Sequence, residues 1–369
     1  MYLSSSQLAA LRDYKYASGT YGYLDTVMTP FWNAAVNFLP MTIAPNVVTL
    51  VALIIMASAA VLNGIMSPTL SDELPAWVLL YNAVALFLYQ TLDAIDGKQA
   101  RRTESSSPLG QLFDHGCDSL NVTLLLIIVS GTLRLGQQPV LMVACFAIGI
   151  VPFYMANWEE SQTGYMRFGM IGVTEAQFSV IALFIATLVF GHHIWTWAPF
   201  GVELRQAFMV IAGSGAAFGA LENLWVVYRG KALLPTFKPS IAIAQVVQFF
   251  AYLILTLMWM LSPHHKVLLE HPFVVFTAAG VAFSYLINRL IISRVIVDAG
   301  FSFSPPALLP LPFLAYHAWT STSPVHVVVM SRVYLVFTIV VYAHFVQSVI
   351  HEICTFLKIR AFVIAKKSN

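Results

Sequence analysis

The stretch DAIDGKQARRTESSSPLGQLFDHGCD, residues 93–118, holds four aspartates, Asp93, Asp96, Asp114 and Asp118, between two long apolar runs. Carboxylates at the mouth of a membrane are costly and call for a function. Asp93 and Asp96 stand three residues apart and Asp114 and Asp118 four apart, so on helices each pair shares one face. The polar link Thr103–Ser107 between them is too short to hide a further element. The pattern is therefore helix, polar turn, helix, repeated outward in apolar runs that satisfy their own backbone hydrogen bonds inside a membrane.

Working outward, the 369 residues are 59% hydrophobic and 10% charged, with a mean hydropathy of +0.77. About a quarter of a soluble domain is charged, so the chain is expected to be an all-α polytopic membrane protein. Apolar segments of spanning length fall at 46–66, 75–96, 109–133, 138–158, 174–195, 205–228, 240–261, 271–293, 303–320 and 324–352, about ten transmembrane helices. Pro305, Pro306, Pro310 and Pro312 make 303–320 a distorted or re-entrant helix. Leu8, Leu11 and Tyr14 at helical spacing, beside Arg12 and Lys15 and before Phe31 and Trp32, suit an N-terminal interfacial helix; an ordinary polar arm is an equal alternative. The N-terminus lacks the apolar core of a signal peptide, and the first membrane helix is expected to direct insertion. Cys117, Cys145 and Cys354 suggest no disulfide framework.

An even number of spans puts both termini on one side. Lys98, Arg101, Arg102, Arg167, Arg229, Lys231, Lys238, Arg294, Lys358 and Arg360 fall together on that side, against Arg134, Arg205 and Lys266 opposite, so the aspartates are expected to face the cytosol. The ending Lys366-Lys367-Ser368-Asn369 resembles a dilysine retrieval signal, which implies an endoplasmic reticulum or Golgi membrane. Net charge +2 neither favours nor excludes an acidic partner, and no nucleic acid is expected.

Two facing helices with two carboxylates each make an all-oxygen site for hard divalent cations, Mg2+ or Mn2+. Two such cations clamp both ends of an in-line phosphoryl displacement. Gly97 and Gly110 leave room for a ligand, and Lys98 or Arg101 can neutralise phosphate oxygens, which suits a nucleotide diphosphate ester. The competing class, a divalent-cation transporter, predicts acidic residues at mid-membrane on broken helices rather than at one end.

Asp93, Asp96, Gly97, Ala100, Arg101, Gly110, Asp114 and Asp118 fill every position of the string D-x2-D-G-x2-A-R-x8-G-x3-D-x3-D. In this the chain resembles the CDP-alcohol phosphotransferase family. The context at 88–121, with Tyr14–Tyr16, Pro30–Trp32, Ala44–Leu50 and Met166–Gln177, is similar to its eukaryotic choline/ethanolamine branch. The resemblance is strong from about residue 8 to 180 and looser beyond. It implies transfer of phosphocholine or phosphoethanolamine from CDP-choline or CDP-ethanolamine to diacylglycerol, with release of CMP. Relatives that use inositol or glycerol phosphate as acceptor are the alternatives within the family. It also implies that Asp93, Asp96 and Asp114 ligate metal, with Asp118 as ligand, base or both. Asn46 and Thr49 would then lie near the cytidine nucleotide, and Arg101 would contact phosphate.

A carboxylate bound to two cations is a poor proton acceptor, which favours His115 as base, oriented by Glu175 from another helix. Without the resemblance, His115 reads as a hydrogen-bonded polar residue and Glu175 as a carboxylate offsetting a helix dipole. Tyr89, Tyr154 and Trp158 are candidates for an aromatic cage around a quaternary ammonium. Asn157-Trp158-Glu159-Glu160 either lines the site or anchors at the interface. Asn288 and Arg289 read as structural, Glu222 is open, and His192-His193 and His264-His265 read as solvated loop residues. The chain divides into an N-terminal segment (1–45), a catalytic six-helix core (46–228), C-terminal helices offering a homodimer interface (229–358) and a tail (359–369).

Overall fold

The structure, a computed structural model, describes residues 2–11, 22–165, 167, 172–230, 233–295 and 305–364. Arg12, Lys15, Tyr14–Tyr16, Lys231, Lys366 and Lys367 lie outside them. Every regular element among the described residues is helical. Short α1 (Ser5–Ala10) and α2 (Tyr23–Ala35) precede α3 (Pro45–Met66), α4 (Ala76–Arg102), α5 (Pro108–Thr132), α6 (Pro139–Thr163), α7 (Val173–Phe190), α8 (Leu204–Arg229) and α9 (Pro239–Met260). Then follow a single turn, α10 (His265–Leu268), α11 (Pro272–Val295), α12 (Leu311–Thr320) and α13 (Pro324–Leu357). Proline opens α3, α5, α6, α9, α11 and α13, where its missing N–H has no partner to lose. Gly164 and Gly230, at φ 86° and 66°, close α6 and α8 in the left-handed conformation.

Nine described helices are long and apolar enough to cross a membrane. The protein is multi-pass. The stretch 303–320 is not a spanning helix: its described part is a 3-10 turn at Pro306–Leu308 and the 10-residue α12. The prolines remove the amides a longer helix would need. The chain nevertheless crosses there. Asn46 Nδ2 donates to Ala361 O, so the start of α3 and the end of α13 share one end of the bundle, the site end. His264, beyond the far end of α9, meets Ser321 O at the close of α12, which lies at the opposite end. From there α13 returns the chain to the site end. Both described chain ends consequently meet, with Glu352 of α13 accepting the N–H groups of Tyr2 and Leu3, each at 2.8 Å.

The expected interfacial segment is partly a docked one. Leu3, Leu8 and Leu11 are buried in the core. The amphipathic piece is α2, with Tyr23, Val27 and Phe31 exposed along one stripe and Trp32 buried on the other face.

α5 is the central strut. Gly149 of α6 receives Leu126, Gly280 of α11 receives Thr123, and Gly116 faces Asn288 of α11. Asn288 Nδ2 also lies within hydrogen-bond distance of Ser119 Oγ, Tyr342 OH and Ser284 O, which ties α11 to α5 and α13. The apolar window of α11 is 89% buried, against 6% for α8. α11 is thus an interior helix of the same packed body as the aspartates, and the outward apolar faces of α3, α8 and α13 form the surface toward lipid.

At the opposite end His192 is buried, not solvated. Its Nδ1–H points to Thr132 O and its Nε2 accepts the Leu74 N–H, both at 3.1 Å, which staples three connections. His264 is likewise half-buried and tied to Ser321, whereas His193 is exposed.

Candidate active site

The last turns of α4 and the first turns of α5 bring Asp93, Asp114 and Asp118 together, each half-buried, with one oxygen from each within 4.8 Å of the others. Tyr89 OH donates to Asp118 Oδ1 at 2.5 Å, while Asp114 Oδ1 is buried with no hydrogen-bond partner. Three carboxylates packed this closely repel one another, the more so in a low dielectric. Oxygens around a hard divalent cation, each at about 2.1 Å from it, stand about 3 to 4 Å apart. The crowding, the orphaned oxygen and the all-oxygen donor set all fit such a cation. Asp96 lies outside the trio. It is buried, and Thr49 Oγ1 of α3 donates to its Oδ2.

The rim is open where the sequence has glycine. A Cβ on Gly97 would meet only Arg101 Nη1, at 3.8 Å, and one on Gly110 only Asn46 Oδ1 and Ser107 Oγ, each at 3.7 Å. Ser107 caps α5 by accepting the Gly110 N–H at 3.1 Å. Arg101 is exposed on the rim. Lys98 lies elsewhere, donating to Asn33 of α2 at 2.8 Å.

Two residues of α4 that are not among the expected site residues hold α3 in place. Gln99, fully buried, donates to Pro40 O at 2.9 Å and Ile43 O at 3.1 Å. Arg102 donates to the carbonyls of Val36 and Leu39. They pin the turn that delivers Asn46 and Thr49. The only signal in the sequence was two strong hydrogen-bond donors, Gln99 and Arg102, in the turns just beyond the aspartates.

His115 is half-buried, one turn before Asp118 and within its electrostatic reach. No hydrogen bond joins it to Glu175 among the described residues, so the expected pair is not formed. Glu175 accepts the Leu24 N–H and the Gly172 N–H, each at 2.9 Å. In return Asp25 of α2 accepts the Gly22 N–H at 2.7 Å and the hydroxyl of Thr174. Glu175 thus caps amides at both helix starts and Asp25 caps its own while holding Thr174, because first-turn amides lack intrahelical partners and attract carboxylates.

Of the aromatic-cage candidates only Tyr89 reaches the site. Tyr154 donates to Gln245 O and stacks on Phe249 at 4.0 Å, and Trp158 donates to Ala242 O; both pack α6 onto α9. Asn157 and Glu160 are buried with them, and Glu159 meets Arg167 at 3.6 Å.

With this geometry in view, the likenesses of the chain are specific. Residues 42–213 match the family described as CDP-alcohol phosphatidyltransferase. The chain is 32% identical, over 99% of its own length and 99% of the other's, to an Arabidopsis thaliana protein named choline/ethanolaminephosphotransferase 2. It is 32% identical to an uncharacterised CDP-alcohol phosphatidyltransferase class-I family protein 2 of Dictyostelium discoideum, over 100% of this chain and 89% of that one. With cholinephosphotransferase 1 of Xenopus laevis it shares 37% identity over 230 residues, 62% of this chain and 57% of the other.

Proposed function

This chain belongs to the CDP-alcohol phosphatidyltransferase family, and from that premise we propose that it transfers phosphocholine or phosphoethanolamine from CDP-choline or CDP-ethanolamine to diacylglycerol. The observation that carries the reading is the approach of Asp93, Asp114 and Asp118 within 4.8 Å at one end of a membrane bundle. There a water-soluble nucleotide and a lipid can both arrive. Full-length likeness to a choline/ethanolaminephosphotransferase supports the acceptor.

The diacylglycerol hydroxyl oxygen forms a bond to the phosphorus that carries the amino alcohol. The bond from that phosphorus to the CMP oxygen breaks, and CMP leaves with the electron pair. His115 takes the hydroxyl proton. Asp93, Asp114 and Asp118, joined by Asp96 for a second ion, would hold Mg2+ or Mn2+, which supplies Lewis-acid stabilisation of the phosphate oxygens. Arg101 meets the diphosphate at the rim opened by Gly97, and Asn46, Thr49 and Gly110 line the nucleotide side. Lys98, held by Asn33 of α2, adds positive charge to the site end without touching the trio or the rim. Glu175 acts through the α2–α7 junction as a positioning residue. The site end faces the cytosol of an endoplasmic reticulum or Golgi membrane, since Lys98, Arg101, Arg102, Arg229, Lys238, Lys358 and Arg360 lie there. A homodimer would use C-terminal faces other than α11, which is interior.

The test is CMP release by the purified protein from CDP-choline and from CDP-ethanolamine. Release that requires diacylglycerol and a divalent cation is expected for one or both. Release with inositol or glycerol phosphate instead of diacylglycerol would move the acceptor, and release with none of these would refute the reading.

A further inference from the structure

We propose that the C-terminal segment Ile359–Phe362 is a positioning part of the nucleotide site, and that it fixes the amide of Asn46. The inference rests on the reading that the CDP-alcohol binds beside Asn46. α13 ends on Lys358 in the left-handed conformation, φ 56°, and the Ile359 N–H closes on Cys354 O at 3.1 Å. This turns the tail back across the site end. Ala361 O then accepts from Asn46 Nδ2 at 2.8 Å. Next to it, Phe362 packs edge-on against Phe113, ring centres 5.5 Å apart and planes at 82°. Phe113 immediately precedes Asp114. The tail thus touches both sides of the cradle, α3 through Asn46 and α5 through Phe113.

The consequence is chemical. A carbonyl only accepts, so the group facing Ala361 must be the NH2 of Asn46. Its Oδ1 is therefore the atom presented beside Gly110, where a Cβ would stand 3.7 Å from it and from Ser107 Oγ and meet nothing else within 4 Å. Asn46 is 8% exposed, so neither end of its amide is freely solvated. Without Ala361 the amide loses the bond that decides which end points inward. The ligand would then meet a mixture of acceptor and donor.

The experiment compares the full chain with chains ending after Lys358 and after Ile364, and with Phe362→Ala, in membranes. KM for the CDP-alcohol, KM for diacylglycerol and kcat are measured for each. Loss of one net hydrogen bond corresponds to about a threefold to tenfold effect. Ending after Lys358 should raise KM for the CDP-alcohol by that factor, and Phe362→Ala should raise it in the same direction. KM for diacylglycerol and kcat should stay within about twofold, and ending after Ile364 should change nothing. An unchanged nucleotide KM in both variants would overturn the proposal. So would a lower KM or higher kcat, the mark of an occluding cover, or an equal loss toward both substrates, the mark of general destabilisation. Phe362→Ala keeps the test valid if the shorter chain does not fold. If the full chain itself releases no CMP, it is the function above that fails, not this contact.

Discussion

Asp114 carries the orphaned oxygen of the trio, and neutralising it should have two opposite effects. In chelator, Asp114→Asn relieves carboxylate repulsion and should unfold at a higher temperature than the parent, a trade of function for stability. With Mn2+ at a hundredfold excess over Kd, the parent should gain about 2.7 kcal/mol. The variant should gain far less, and turnover should fall to background. Equal Mn2+ stabilisation of both proteins would remove Asp114 from the metal ligands. His115→Ala separates proton transfer from binding: turnover should drop by about a hundredfold to ten-thousandfold, with CDP-alcohol binding retained. Near-normal turnover would return the proton to Asp118. These roles were legible in part. Spacing made a metal site of the four aspartates, yet only the structure shows Asp96 held apart by Thr49, a contact between residues 47 positions apart.

At the level of elements, glycines record where helices touch. A Cβ on Gly280 would stand 2.7 Å from Thr123 Cβ, an atom that cannot swing away, whereas Gly219 on α8 has open space. Gly280→Ala should therefore cost about 1 to 3 kcal/mol and disturb turnover by shifting α5. Gly219→Ala should be neutral or stabilise by up to about 1 kcal/mol. Thermal unfolding of the two variants checks this, and similar losses in both would contradict the packing. Glu175→Gln removes charge from two facing helix starts and should lower stability by about 1 kcal/mol, while turnover falls less than in His115→Ala. A Glu175→Gln loss as deep as that of His115→Ala would restore a direct catalytic role. The Glu175–His115 pair was not decidable from sequence, because a carboxylate in a first helical turn serves equally to cap its own helix or its neighbour's.

At the scale of the whole molecule, the bundle has a charged end and an apolar belt. In sealed vesicles carrying Cys354→Ser, a membrane-impermeant thiol reagent should label Ser106→Cys from the cytosolic side and Phe200→Cys only after permeabilisation. Both positions are exposed, at opposite ends, and the reverse pattern would invert the topology. The sequence alone determined the membrane class, nine of the spans nearly in place with α4, α6 and α13 running past their expected ends, and the aspartate helices, because hydropathy and helical spacing are local and a membrane admits few backbone solutions. It also flagged the proline-rich crossing without resolving it. Only the tertiary structure decided that α11 is a core helix rather than a surface, that Glu175 joins α2 to α7, that His192 is buried, and that the tail reaches Asn46. Each depends on which distant faces meet, and in a chain apolar on nearly every face, periodicity does not mark the inner one. There, small residues and single polar contacts choose the neighbours.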